Sequence, residues 1–171
     1  MTVSLFTSAS LTFVALLGLI AGACAGPTES PEANFPESKE CLDCDLQNQD
    51  FSQQDLSGVK LNRAALKGSN LSGANLSNAL LDSVDLGEAN LSGADLSSAA
   101  LAQATLAGAN LSDADLTGAF LQGADLSGAT LDGATFADAN LSAATFDPGA
   151  LDGLDTTGAI LPDGAISNEA E

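Results

Sequence analysis

The chain has no histidine, no tyrosine and no tryptophan, and only four basic residues in its 171 positions. Each absence removes a class of function. Without histidine, the many serines have no ordinary base to activate them as nucleophiles. Without Tyr or Trp there is essentially no aromatic platform on which a base or a sugar ring would stack. The four bases, Lys39, Lys60, Arg63 and Lys67, all precede position 68, and from Gly68 to Glu171 there are fifteen acids and no base. With a formal net charge of −19, direct contact with nucleic acid or with an anionic membrane surface is not expected, because both need a positive patch. The expected face to the solvent is acidic and well hydrated.

What the chain does have is a period. Every fifth residue from Leu46 to Phe146 is leucine or phenylalanine, and the residue two places before each is alanine without a break from Ala89 to Ala144. Five matches neither the 3.6-residue turn of an amphipathic helix nor the alternation of an ordinary strand. It fits a solenoid, whose short units each turn a corner and bury one face against their neighbours. In Ala89-Asn90-Leu91-Ser92-Gly93, alanine and leucine lie two apart and point to the same side of extended backbone, while Asn90 points away. Ser92 and Gly93 supply the turn.

The number of units per coil follows from the residue before each central leucine. It is Asp, Asn or Thr except at Lys60, Ala65, Leu80, Ala100 and Phe120, and four of these five exceptions are twenty residues apart. That spacing predicts four units per coil, a square cross-section, and an outer column in which Asn70, Asn90 and Asn110 form a ladder of side-chain amides. It also stacks Leu80, Ala100 and Phe120 into one apolar stripe, the candidate interaction face, with Phe120 as its anchor.

Runs such as Ala74-Asn75-Leu76-Ser77-Asn78, Ala109-Asn110-Leu111-Ser112-Asp113 and Ala124-Asp125-Leu126-Ser127-Gly128 resemble the pentapeptide-repeat family, whose consensus is A(D/N)LXX. The resemblance covers residues 44–148. It implies an all-β fold, a right-handed quadrilateral β-helix of about five coils here, and it implies little about activity. Gln49 and Gln54 depart from the pattern by occupying the small inward position, where a buried amide needs partners. Either the first coil is open at that corner, or the amides bond to backbone at the end of the solenoid.

The two ends carry other signals. Residues 1–28 have no charged side chain, and Leu11–Ala25 is a small and apolar run, too short for a comfortable membrane span and suited to the core of an export signal. Ala21-Gly22-Ala23 before Cys24 reads either as an A-x-A cleavage site giving a soluble product or as a lipobox that makes Cys24 a lipidated first residue; an uncleaved anchor is the third reading. Cys41 and Cys44 have C-x-x-C spacing. A disulfide in an oxidising compartment is the expected state, with free thiols, redox chemistry and metal binding as alternatives. Pro36–Leu42 reads as a short capping helix, since proline suits its first position and Glu37 complements the N-terminal dipole. At the other end Asp147-Pro148-Gly149 breaks the pattern, and Leu154, Ile160, Leu161 and Ile166 are expected to fold back. The expected organisation is a signal segment over 1–23, a disordered tether over 24–34, an N-terminal cap over 35–43, the repeat array over 44–148, and a C-terminal cap and tail over 149–171.

No enzyme, cofactor or metal site is expected. Paired carboxylates occur, but a packed solenoid has convex faces where a glycosidase pair needs a cleft. Open rows of Asp also lack the loop that wraps a calcium ion. Two function classes remain. One is an exported structural protein that presents flat faces to a protein partner, either tethered through Cys24 or free in a periplasm-like or thylakoid-lumen-like space. The C-x-x-C-D-L start followed by A(D/N)LXX units is similar to exported cyanobacterial members of the family. The other is an acidic DNA-mimic, like those family members that act on DNA gyrase, an acidic rod offering phosphate-like charge to a DNA-binding groove.

Overall fold

The computed structural model describes residues 39–167. Parallel β-bridges join each outward residue to the one twenty positions ahead: Glu40 to Lys60, Lys60 to Leu80, Leu80 to Ala100, Ala100 to Phe120, Phe120 to Asn140 and Asn140 to Ile160. Three more columns rise from Asp45, Asp50 and Asp55 with the same step. Four five-residue sides therefore make one coil of a β-solenoid. The first column contains six such steps, one more than the roughly five coils implied by the repeat array, because the ladder begins before residue 44 and resumes after 148.

Each corner is built the same way. The alanine N–H donates back to the preceding leucine carbonyl, as from Ala94 to Leu91 at 3.0 Å. The second corner residue takes a left-handed backbone: Gly93 has φ 63°, Ser98 56° and Asp113 58°. From Asp43 to Ala143 every such position has positive φ, and none holds Val, Ile or Thr, whose branched Cβ would clash there. Around the corners the ladder is continuous. Leu91 N–H donates up to Asn110 O at 2.7 Å, and Asn90 N–H donates down to Ser69 O at 2.9 Å.

The inward side chains form one core. Leu71, Leu91 and Leu111 stack along the axis at 0% exposure, and Leu96 and the mid-solenoid alanines are equally sealed. Ser69 sits in an alanine position at 1% exposure and is satisfied by donating to Leu66 O at 2.7 Å. At the first coil Gln49 remains partly exposed and donates to Gln47 O at 3.2 Å, so its amide bonds to backbone at the end of the stack.

The expected N-terminal helix over Pro36–Leu42 is not supported by the described part of that segment. Glu40 already stands in the ladder opposite Lys60, and Leu42-Asp43 is a corner with Asp43 at φ 56°. From Lys39 onward the five-residue register, which places Cys41 and Cys44 at inward positions, sets the backbone. Residues 36–38, Phe35, the signal segment, the tether and Cys24 lie outside the described residues.

At the far end the chain reverses. Ile160 pairs antiparallel with Ile166, and Ser167 O and Ala165 O accept the N–H groups of Gly158 and Leu161, which in earlier coils donate to the next coil. Part of the last sheet edge is thereby closed against further pairing.

Candidate functional site

The outward columns differ in what they do. In three of them the Asp and Asn side chains are turned onto their own backbone. The carboxylates of Asp95 and Asp115 accept the N–H of Ser97 and Thr117, each at 2.9 Å, and Asp85 and Asp125 do the same for Gly87 and Ser127 at 3.0 Å. The N–H of the residue after each leucine takes no part in the ladder, and this side chain satisfies it. That explains the Asp/Asn preference: it is turn chemistry. The hydrogen bonds leave their mark on acidity. The hydroxyl and N–H of Ser127 hold the Asp125 carboxyl below the usual range, the Ser57 hydroxyl and N–H do so for Asp55, and the N–H of Thr157 followed by its hydroxyl does so for Asp155. A carboxylate held ionised by its own corner is poorly suited to serve as a general acid.

The column above Asp50 carries the expected amide ladder. Asn110 Nδ2 donates to Asn90 Oδ1 at 3.3 Å, Asn90 to Asn70 at 3.3 Å, and Asn70 to Asp50 at 3.0 Å.

All four bases are spent on the first three coils. Arg63 grips Asp43 one coil below with Nε and Nη2, both at 2.7 Å, lowering the Asp43 pKa. Lys60 pairs with Glu40 at 2.5 Å, Lys67 with Glu88 at 3.1 Å, and Lys39 donates to Ser57 O at 2.9 Å. Cys41 and Cys44 are disulfide-linked across the first corner, their Cα atoms 5.6 Å apart, and stand where other corners place Leu and Ala. Both pack partly buried against the core. This end of the molecule is a clamp that ties the terminal coil to its neighbours.

The remaining column is chemically distinct. Leu80, Ala100 and Phe120 occupy consecutive rungs; Leu80 is 38% exposed, Phe120 50%, and Ala100 partly exposed. Lys60 and Asn140 flank them on the same column. Asn140 still accepts the corner N–H of Ser142 at 3.1 Å, but Leu80, Ala100 and Phe120 offer no oxygen to theirs. At the Ala100 corner Asp82 compensates from one coil below, its Oδ1 accepting from Ala102 N–H and its Oδ2 from Asn62 Nδ2, each at 3.1 Å. The compensation is not readable from the repeat, because it joins residues twenty apart. A corner without a local Asx acceptor was its only sequence signal.

The fold thus defines a four-sided parallel β-solenoid whose polar side chains chiefly build its corners. The pentapeptide-repeat sequence profile matches residues 41–147 in eight copies, more than half of the chain, and the protein belongs to that family. Among solved structures, it is similar to the pentapeptide-repeat protein Rfr23 from Cyanothece 51142 at 32% identity, covering 66% of this chain and 90% of that one with a TM-score of 0.64. A pentapeptide-repeat protein from Nostoc PCC 7120 matches at 37% identity, over 57% of this chain and 84% of that one, with a TM-score of 0.50. QnrB1, a plasmid-mediated fluoroquinolone resistance protein, matches at 25% identity over 78% and 76% of the two chains, also with a TM-score of 0.50. A comparison with curated proteins finds no match.

Proposed function

We propose that this protein, wound in the right-handed sense of its family, is a non-enzymatic interaction protein that is exported and presents the Leu80–Ala100–Phe120 column to a protein partner. Pentapeptide-repeat proteins are generally structural or interaction proteins, which supports the class. The observation that carries the reading is the contrast between columns: Leu80 and Phe120 are exposed on the one side whose bridge residues include no Asp. An apolar stripe on so acidic a surface is the natural place for a partner to exclude water. Export rests on the apolar run Leu11–Ala25 followed by the small residues before Cys24, and a membrane tether on lipidation of Cys24.

The test is a Leu80→Asp, Phe120→Asp double variant compared with wild type by sedimentation, thermal melting and affinity capture from the native host. Loss of a captured partner with unchanged melting is expected; identical behaviour in all three refutes the interaction face. Mass spectrometry of the N-terminus after fractionation decides between a lipidated Cys24 and a soluble product.

The second reading is the acidic DNA-mimic acting on a DNA-binding protein such as DNA gyrase. The likeness to QnrB1 and the net charge of −19 favour it. An unprocessed cytoplasmic chain that protects or inhibits gyrase in a supercoiling assay would establish it over the first.

A further inference from the structure

One rung of the ladder is missing. From Glu40 to Asn140 every fifth residue is bridged to the residue twenty ahead, with Thr130 as the exception. Its counterpart one coil earlier, Asn110, bridges Thr130 in the ordinary way, with Leu111 N–H on Thr130 O and Asp113 N–H on Asp132 O, both at 2.8 Å. Among the described residues the corresponding donors, Leu131 N–H and Gly133 N–H, have no partner, and Ala150 N–H turns back to Asp147 O at 3.1 Å instead of reaching Ala129 O. An acceptor and two donors are left along one stretch of sheet edge, spaced as a parallel strand would use them.

The cause is a single residue. Pro148 falls on the corner position that has positive φ at every repeat from Asp43 to Ala143, and a proline ring holds φ near −65°. The left-handed residue is displaced to Gly149 at φ 78°, and the chain regains register only at Gly153. Asp147 Oδ2 takes over the N–H of Gly128 at 3.1 Å, which holds the displaced corner in place. Beside the vacant rung lies a hollow of about 400 Å³, lined by Ala129, Leu131 and Leu154 with Asp132 and Asp152 at its rim. A second hollow of about 360 Å³ continues past Ala150 to Phe146 and Leu151.

We propose that the vacant rung at Thr130 is a docking site for an extended, basic peptide segment of a partner protein, which adds to the solenoid as the missing strand. Main-chain pairing to Ala129 O, Leu131 N–H and Gly133 N–H supplies the register, and the hollow takes a small apolar side chain. Charge selects the partner. Asp132, Asp147 and Asp152 surround the notch, and the chain has no base beyond Lys67. Its own C-terminal Glu169-Ala170-Glu171 and a second copy at −19 are both repelled, whereas lysines or arginines on the incoming strand are attracted. The site is separate from the Leu80–Phe120 column, so either can fail without the other.

The experiment uses the full chain and a displayed library of unstructured dodecapeptides, preceded by amide exchange. Leu131 and Gly133 amides are expected to exchange much faster than those of Leu111 and Asp113; equal protection means that the edge is already covered and overturns the proposal. Selection is expected to enrich Lys- and Arg-containing peptides that slow exchange at those two amides. Pro148→Gly, which lets the corner close in register, should raise the melting temperature and weaken the selected peptides at least about tenfold. A double Asp132→Asn, Asp152→Asn variant, which leaves the backbone alone, should weaken them without changing the fold. No enrichment, enrichment of acidic peptides, self-association through the notch, or undiminished binding to Pro148→Gly would each overturn it.

Discussion

Replacing Leu91 by alanine tests the register where it is best isolated. Leu91 is fully buried midway along the axis, stacked between Leu71 and Leu111. The substitution removes three carbons, which at about 0.8 kcal/mol each gives about 2.4 kcal/mol of lost transfer free energy. A cavity term adds to this, for a total of about 2–5 kcal/mol. The site has little freedom to collapse, because Leu91 N–H is fixed to Asn110 O and Leu71 N–H to Asn90 O, both at 2.7 Å. The upper half of that range is therefore expected, a fall of roughly 10 °C in melting temperature for a chain of this size. The control is Ser92→Ala next door. The Ser92 backbone N–H donates to Asn90 Oδ1 at 3.2 Å, a bond the alanine variant keeps. Its cost should be within about 0.5 kcal/mol. Denaturant or thermal unfolding measures both, and equal effects would refute the inward and outward assignment for the whole array.

Two further outcomes follow from the corners. Cys41 and Cys44 should resist alkylation until reduced, as read by mass spectrometry, and a Cys41→Ser, Cys44→Ser variant should lose only about 2 kcal/mol, since the closed loop is so short. The loss should be confined to faster amide exchange in the first coil. Asp125→Ala should cost about 1 kcal/mol by orphaning the Ser127 N–H, while Asp125→Asn keeps the acceptor. Because the folded pKa of Asp125 is lowered, its contribution is complete above the ordinary carboxylate range and is lost as pH falls through the depressed value. The stability gap between wild type and Asp125→Asn, measured by urea titration, should therefore change only below about pH 4.

Much of this was legible in the sequence because a repeat converts one-dimensional spacing into contact. Leucine and alanine two apart specify the buried pair, and the twenty-residue spacing of Lys60, Leu80, Ala100 and Phe120 anticipates a column that the bridges draw directly. The Asn70–Asn90–Asn110 ladder follows from the same arithmetic. At the entry to the first coil two sequence signals compete: Pro36 and Glu37 favour a helix start, while Cys41, five before Leu46, belongs to the period, and the described residues from Lys39 onward follow the period. The role of Asp82 escaped because it replaces an acceptor missing in another coil. The vacant rung was marked by Pro148 but became interpretable only once its position was known to require positive φ.

The twenty-residue coil turns chain length into a dial with four settings. Excising Leu81–Ala100 would shorten the rod by about 4.8 Å and set Phe120 directly above Leu80, every column otherwise intact. Excising only Leu86–Asn90 would rotate everything beyond by a quarter turn, so that Ala100 stands over Asn75 and the apolar stripe is severed. Whole-coil changes alter the reach of such a protein, and single-unit changes alter which way its far half faces. Length and direction can thus be adjusted separately, with no new contact invented.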